Sequence, residues 1–208
     1  EQKKIKIVVD PVNSTGAIFV PALLKKLGIN EDQIIVLNHE VNGKFAHNPE
    51  PLPQNLSQLS AAVVSHKADI GIAVDPDVDR LVLVCEDGSM FGEEYTLVAV
   101  ADYVLSKRPG NTVSNLSSSK ALRDITEKHK GEYFPAAVGE VNVVAKMKEV
   151  NAVIGGEGNG GIIVPDFHYG RDALIVIALI LTHLAQSGKS LKKIRSSYPD
   201  YFISKNKI

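Results

Sequence analysis

Tryptophan is absent from this 208-residue sequence, and cysteine occurs once, as Cys85. A single cysteine excludes an internal disulfide, which predicts a reducing compartment such as the cytoplasm. Long apolar runs are also lacking: the longest, Ala173 to Leu181, has nine residues, and a membrane span needs about 18. Basic residues are not in excess, since 23 Lys and Arg stand against 24 Asp and Glu. We therefore expect no nucleic acid and no membrane among the partners of this chain.

Short apolar segments alternate with helix-length segments along the whole chain. Apolar runs such as Ile5–Val9 and Leu81–Glu86 predict buried strands, and the long stretch Asp172–Gln186 predicts a helix. Strands separated by helices indicate right-handed βαβ units and a largely parallel sheet. The sequence predicts two similar three-layer α/β domains with mixed, largely parallel sheets, residues 1–91 and residues 92–208.

An acidic loop, residues 75–80, separates two of the apolar runs. Its carboxylates, Asp75, Asp77 and Asp79, repel one another unless a cation gathers them. Mg²⁺ takes oxygen ligands and commonly uses a few carboxylates while leaving positions for a substrate phosphate. Arg80 follows directly, and its planar guanidinium suits a phosphate group. The pattern is what a magnesium site for phosphoryl groups needs.

Other interpretations of the acidic loop compete with this one. A solvated acidic turn is the simplest. A calcium loop of the EF-hand type fails, because it requires glycine at its sixth position, where Arg80 stands, and because residues 81–85 resemble a strand. A phosphatase with Asp75 as an aspartyl nucleophile stays open, because such a residue also follows a strand.

A glycine loop, residues 155–161, contains five glycines around Glu157 and Asn159. Glycine lets the backbone approach a ligand closely, and a carboxylate beside a carboxamide can bind adjacent hydroxyl groups. The loop is therefore a candidate sugar clamp, although a tight hairpin between two short strands explains it equally well. It is not a dinucleotide fingerprint, since no GxGxxG turn opens into a helix.

Taken together, the two loops and their order resemble the α-D-phosphohexomutase family, which includes phosphoglucosamine mutases, phosphomannomutases and phosphoglucomutases. The family's metal loop, DGDGDR, corresponds to DPDVDR here, and its sugar loop, GE-x-SG-H, corresponds to GEGNGG. The segments VVDPVNSTG, VGEVNVVAKMK and GRDAL also look like the family's framework. The resemblance covers essentially the whole chain and implies that residues 1–91 are the family's second domain and residues 92–208 its third.

The resemblance implies a Mg²⁺-dependent enzyme that interconverts hexose 1-phosphate and 6-phosphate. In the family a phosphoserine donates its phosphate to the sugar, and a bisphosphorylated sugar then returns the other phosphate. By resemblance, Asp75, Asp77 and Asp79 hold the metal and Arg80 lies beside the phosphate. Glu157 and Asn159 would bind hydroxyls of the hexose phosphate substrate. Phosphoglucosamine or phosphomannose is the expected sugar.

Two other domains of the family, domains 1 and 4, carry the catalytic serine loop and a phosphate-binding RxSGTEP loop, and neither loop occurs here. We expect both domains to belong to the same parent chain as partners of this one, and we expect the isolated chain to lack mutase turnover. The segment from Ala46 to Pro49, AHNP, imitates the serine loop with alanine at the nucleophile's position, and we interpret it as a connection.

Departures from the family pattern leave part of the chemistry open. Lysine and histidine positions of the family correspond to Ala137, Glu140 and Gly161, so its proton-relay residues do not transfer. His168 lies between the glycine loop and Arg171 and is the histidine nearest to these motifs. A non-catalytic module that binds a sugar or a metal is the remaining hypothesis.

Overall fold

The computed structural model describes residues 4–201, and it contains two four-stranded sheets. The first sheet belongs to the first half of the chain and the second sheet to the second half. Both sheets are mixed: three neighbouring strands run parallel, and the fourth strand, at one edge, runs antiparallel to its neighbour. The outer ends of the two expected domains, residues 1–3 and 202–208, lie outside the described residues.

The first half forms one βα unit after another and ends in a hairpin. Its elements are β1 (Ile7–Asp10), α1 (Gly16–Lys26), β2 (Ile34–Val36), α2 (Ser57–Ser65), β3 (Ile70–Val74) and β4 (Leu81–Cys85), with short 3₁₀ turns at Glu31–Gln33 and Pro53–Asn55. The strand order is β2-β1-β3-β4, and β4 runs antiparallel to β3. The acidic loop is the turn of this hairpin.

The second half repeats the same strand order. Its elements are α3 (Glu93–Lys107), β5 (Thr112–Asn115), α4 (Ala121–Lys128), β6 (Tyr133–Ala136), α5 (Glu140–Glu149), β7 (Ile154–Gly156), β8 (Ile162–Ile163), α6 (Ala173–Ser187) and α7 (Leu191–Arg195). The strand order is β6-β5-β7-β8, with β8 antiparallel to β7. The glycine loop spans the turn of this second hairpin, at the position that the acidic loop has in the first.

Helices cover both faces of each sheet, which makes each half a three-layer structure. Helix α2 packs on one face of the first sheet through Leu59 and Val63, and α5 packs on one face of the second through Val143 and Met147. The opposite faces share one continuous core with α1, α3, α4 and α6. The predicted α/β fold class is confirmed, and the expected boundary near residue 91 lies inside this shared core.

Most predicted elements differ from the observed ones at their ends, but the strand predicted over Ala152–Ile154 shares only Ile154 with β7, and the two 3₁₀ turns were not predicted. The first strand begins at Ile7 and continues to Asp10, because Asp10 still pairs with Ala73 in the parallel register of β1 and β3. The long helix begins at Ala173, because Asp172 is its N-cap and not its first residue. Within residues 4–201, no helix is both long and apolar enough to cross a membrane.

Candidate functional site

The acidic loop lies at the carboxyl end of β3 and is held from several sides. Oδ1 of buried Asp75 accepts hydrogen bonds from the backbone N–H groups of Asp79 (3.1 Å) and Arg80 (3.0 Å). The hydroxyls of Ser14 and Thr15 donate to the carbonyl of Pro76, at 2.9 and 2.7 Å. Parallel βα units place their loops at this edge of the sheet, where α/β proteins commonly bind ligands.

The backbone of the acidic loop is strained at Val78. This buried residue has φ of 61°, a left-handed conformation that β-branched residues rarely adopt. The family's loop, DGDGDR, has glycine at this position. Strain of this kind persists only where surrounding contacts impose it, and one such contact is the backbone N–H of Ala173, which donates to the carbonyl of Val78 at 3.0 Å. The start of α6 therefore shapes the acidic loop of the other half.

The three aspartates lie together and differ in exposure. One oxygen atom of each carboxylate lies within 4.8 Å of the others; Asp75 is buried, Asp79 half-buried and Asp77 exposed. Burial, a hydrogen bond with Asp75 and the negative charge of Asp75 raise the pKa of Asp79 to about 6, against the opposing charge of Arg171. Burial also favours neutral Asp75, but hydrogen bonds from Arg80 outweigh it and lower the pKa of Asp75.

The donor set suits a small divalent cation. Mg²⁺ binds oxygen at about 2.0–2.1 Å, which puts neighbouring ligand oxygens about 3 Å apart and opposite ones about 4 Å apart. The aspartate oxygens lie within 4.8 Å of one another, so binding would draw them closer together. All three ligands are carboxylates, the donors that hard cations prefer. Asp75, Asp77 and Asp79 therefore fit Mg²⁺, with the remaining positions left for other oxygen ligands.

Arg80 is fixed in place by carboxylates on two sides. Its Nε donates to Asp75 Oδ2 at 2.7 Å, and its two terminal nitrogens donate to the Glu50 carboxylate at 2.7 and 3.3 Å. The hydrogen bond with Glu50, together with Asp75, raises the pKa of Arg80, so the guanidinium carries its charge throughout the accessible pH range. Both oxygens of Asp75 also accept hydrogen bonds, Oδ1 from two backbone N–H groups and Oδ2 from Arg80, which leaves a lone pair of Oδ2 for a further ligand.

Glu157 of the glycine loop is buried and held on both oxygens. Its Oε1 accepts from Asn115 Nδ2 at 2.8 Å and from the Gly139 N–H at 3.3 Å, and its Oε2 accepts from Arg171 Nη1 at 3.2 Å. Half-buried Asn159 folds back on its own loop, where its Oδ1 accepts from the Gly161 N–H at 3.1 Å. Glu157 and Asn159 share the wall of a cleft of about 210 Å³, in which Asn115 and Ser117 also lie.

The two loops contact each other directly, although they belong to different halves. The backbone N–H of Leu81 donates to the carbonyl of Gly160 at 3.1 Å, and Arg80 forms an antiparallel bridge with Gly161. Gly160 has φ of 89°, and a Cβ there would lie 2.5 Å from the carbonyl oxygen of Leu81. Only glycine allows this close approach. The structure thus joins the residues predicted for a metal and those predicted for a sugar into one site.

Four side chains of this site were not predicted from the sequence as site residues: Glu50, Asn115, Glu140 and Arg171. Asn115 carries a usable signal, because it is a polar residue at the carboxyl end of a buried strand. Arg171 stands in the GRDAL segment, where the sequence indicates only the start of a helix. Glu140 stands where the resembled family has histidine, which marks its position but not its partner. Glu50 carries no signal, since it reaches Arg80 from a distant segment.

The AHNP segment lies beside the site and is anchored to the end of β1. His47 Nε2 lies 3.0 Å from Oδ2 of the buried Asp10, and the N–H of Ala46 donates to Asn13 Oδ1 at 2.9 Å. The same connection supplies Glu50 to Arg80. His168 Nε2 lies 3.0 Å from Asp172 Oδ2, so it contacts the cap of α6.

Comparisons with known proteins identify the same family that the two loops resemble. Residues 1–88 match the family model "Phosphoglucomutase/phosphomannomutase, alpha/beta/alpha domain II", and residues 92–201 match domain III of the same family. A phosphoglucomutase/phosphomannomutase of Thermococcus kodakarensis is 36% identical over 97% of this chain and 44% of its own length. A probable phosphoglucosamine mutase of Methanopyrus kandleri is 33% identical over 98% of this chain and 45% of its own length.

Solved structures agree with these matches. The crystal structure of a phosphoglucomutase/phosphomannomutase family protein from Burkholderia thailandensis superposes with a TM-score of 0.87 at 30% identity, over 95% of this chain and 43% of that one. This chain spans less than half the length of the curated relatives it matches. Because family models of two adjacent domains together match nearly all of it, the chain belongs to the phosphoglucomutase/phosphomannomutase family.

Proposed function

We propose that this chain supplies the metal-binding and sugar-binding domains of a Mg²⁺-dependent phosphohexomutase. The enzyme moves phosphate between the 1- and 6-positions of a hexose, with phosphoglucosamine or phosphomannose as the substrate. Domains 1 and 4 of the parent chain supply the phosphoserine and a further phosphate-binding loop. The parent enzyme acts in the cytoplasm.

Each side chain has a definite task in this proposal. Asp75, Asp77 and Asp79 hold Mg²⁺, which would neutralise charge on the transferred phosphoryl group. Arg80, fixed by Asp75 and Glu50, presents a permanent positive charge to the same phosphate. Glu157 and Asn159 bind sugar hydroxyls from the cleft wall. The P–O bond to the serine breaks as a P–O bond to the sugar hydroxyl forms, and that hydroxyl's proton leaves to a base outside these residues.

The contact between the acidic loop and the glycine loop carries the proposal. A metal-binding module alone needs no sugar clamp, and a sugar-binding module alone needs no aspartate cluster. Here the Leu81–Gly160 hydrogen bond of 3.1 Å holds the two loops together at one edge. This arrangement suits an enzyme that must place a sugar hydroxyl beside a metal-bound phosphate.

Calorimetric titration of this chain with Mg²⁺ tests the metal site. We compare the unsubstituted chain with Asp77→Asn, which removes an exposed ligand at little cost to folding, and with Asp32→Asn as an exposed control in the Glu31–Gln33 turn. Loss of one ligand should weaken Mg²⁺ binding by about tenfold or more, and the control should change nothing. Equal affinities for all three proteins would mean that the acidic loop is a solvated turn and not a metal site.

Turnover assays separate the mutase from its alternatives. The isolated chain should convert neither glucosamine 1-phosphate nor mannose 1-phosphate to the 6-phosphate, because the serine loop is not in this sequence. It should also hydrolyse no generic phosphomonoester. Hydrolysis that is lost in Asp75→Asn would favour the aspartyl phosphatase instead, and mutase turnover by the pure chain would contradict the proposed need for domain 1.

A further inference from the structure

Arg171 contacts three carboxylates that come from three different segments. Its Nη2 donates to Asp79 Oδ2 of the acidic loop, and its Nη1 donates to Glu157 Oε2 of the glycine loop at 3.2 Å. Its Nε lies 3.3 Å from Glu140 Oε2 at the start of α5. The guanidinium therefore contacts both the acidic loop and the glycine loop.

Space for Arg171 depends on the glycine loop itself. A Cβ at Gly161 would lie 2.3 Å from Cδ of Arg171, so any larger residue at position 161 would displace the arginine. The arginine side chain is only 22% exposed, and its backbone N–H also donates to Glu140 Oε1 at 3.3 Å. These contacts leave it little freedom to move.

We propose that Arg171 is a positioning residue that holds the Asp79 and Glu157 carboxylates at one fixed separation. This inference rests on the proposed function, since Asp79 and Glu157 are there the metal ligand and the sugar ligand. Fixing one oxygen of Asp79 leaves the other oxygen for the metal. Fixing Oε2 of Glu157 sets the direction in which this carboxylate faces the cleft. The planar guanidinium donates to these two carboxylates from two nitrogens held at a fixed angle, and a lysine ammonium lacks this fixed geometry.

Hydrogen exchange provides a test that needs no ligand. The N–H groups of Leu81 and Ala173 donate across the junction, to Gly160 and Val78, and report whether the loops stay together. In Arg171→Lys and Arg171→Ala we expect exchange at these two amides to accelerate by about tenfold or more, with amides of β1 and β5 unchanged. Arg108→Ala is the matched control, because Arg108 is 61% exposed and pairs only with Asp166 among the described residues.

Binding measurements test the consequence for the site. Calorimetry with glucose 1,6-bisphosphate at saturating Mg²⁺ should show affinity weakened by about tenfold or more in both Arg171 variants and unchanged in Arg108→Ala. Gly161→Ala should reproduce the loss, because its methyl group displaces Arg171. Thermal unfolding confirms that each variant is folded at the temperature of the measurement.

Several outcomes would overturn the inference. Recovery of both readouts by Arg171→Lys would mean that charge alone suffices. Equal acceleration of exchange in β1 and β5 would mean a general loss of stability. If the unsubstituted chain binds neither Mg²⁺ nor the bisphosphate, the proposed function fails, and exchange at Leu81 and Ala173 alone decides whether Arg171 positions the two loops.

Discussion

Single residues in this site adopt backbone conformations that are costly elsewhere. Val78 accepts a left-handed φ of 61°, and Gly160 uses φ of 89° to bring the glycine loop against β4. Each conformation is imposed by a contact between the halves, from Ala173 and Leu81 respectively. The left-handed backbone of Val78 therefore places strain beside the contact between the halves, whereas glycine adopts the φ of Gly160 without steric cost.

Comparing alanine substitutions at Gly160 and Gly188 separates the energetic cost of a left-handed backbone from the cost of a close contact. We expect Gly160→Ala to lower the free energy of unfolding by about 2–4 kcal/mol, since it adds a clash with the Leu81 carbonyl to the left-handed penalty of about 1–2 kcal/mol. Gly188→Ala is the control, because Gly188 has φ of 64° and an added methyl group there would meet nothing within 4 Å; it should cost about 1 kcal/mol. Urea unfolding measures both, and equal losses would contradict the role of the contact.

The beginning of helix α6 contacts the acidic loop. Asp172 caps it by accepting hydrogen bonds from the N–H groups of Leu174 (2.8 Å) and Ile175 (3.2 Å). The first residue of the helix, Ala173, then donates to the acidic loop. A cap that fixes where this helix begins thus also fixes one contact of the acidic loop.

Substitutions of Asp172 should separate the stabilisation from its capping hydrogen bonds from the stabilisation by its negative charge. Asp172→Ala removes the oxygen that accepts both hydrogen bonds and should lower the free energy of unfolding by about 1 kcal/mol, whereas Asp172→Asn should lose only a few tenths. Guanidinium unfolding monitored by circular dichroism measures the difference. If asparagine costs as much as alanine, the stabilisation comes from charge and not from capping.

At the scale of the whole molecule, the two halves share one core. Leu83 of β4, Leu97 of α3 and Ile177 of α6 belong to the same buried cluster, which also reaches α1. Asp102, on α3, adds a set of hydrogen bonds beside this core. Its carboxylate accepts hydrogen bonds from His129 Nε2 at 2.6 Å, Lys128 Nζ at 3.1 Å and the Tyr198 hydroxyl at 3.1 Å. The two halves are therefore expected to unfold together.

Asp102 should make the stability of the whole molecule sensitive to acid. Burial opposes its ionisation, but hydrogen bonds from His129 and Lys128 outweigh burial and lower its pKa below the ordinary value of 3.8. Because the folded-state pKa is the lower one, its contribution is complete above about pH 4 and disappears as pH falls through the folded-state pKa. We expect Asp102→Asn to cost about 1–3 kcal/mol at pH 7 and progressively less below about pH 4.

Urea titrations of the unsubstituted chain and of Asp102→Asn between about pH 3 and pH 7 measure this convergence. Asp32→Asn, an exposed substitution in the Glu31–Gln33 turn, is the control and should follow the unsubstituted chain at every pH. A constant difference between Asp102→Asn and the unsubstituted chain across the range would show that ionisation of Asp102 contributes nothing.

Local features of this protein were open to prediction because their causes are local. The acidic loop places three carboxylates within five residues, so any hairpin at that position brings them together. The strands were predictable from buried apolar runs and the long helix from its apolar stretch. The resemblance of the ordered motifs then identified the family, which the domain matches confirm.

Contacts between distant segments depended on the tertiary structure. Arg171 meets Asp79 across 92 positions, and Glu50 meets Arg80 across 30. No periodicity or spacing in a single sequence encodes such pairs. The Glu50–Arg80 pair arises when a connection folds back within the first half, and the Arg171–Asp79 pair arises when the two halves pack around a shared set of helices. The sequence by itself determined which groups are candidates for binding a metal and a sugar; the shared core determined that the acidic loop and the glycine loop lie against each other, joined by an arginine.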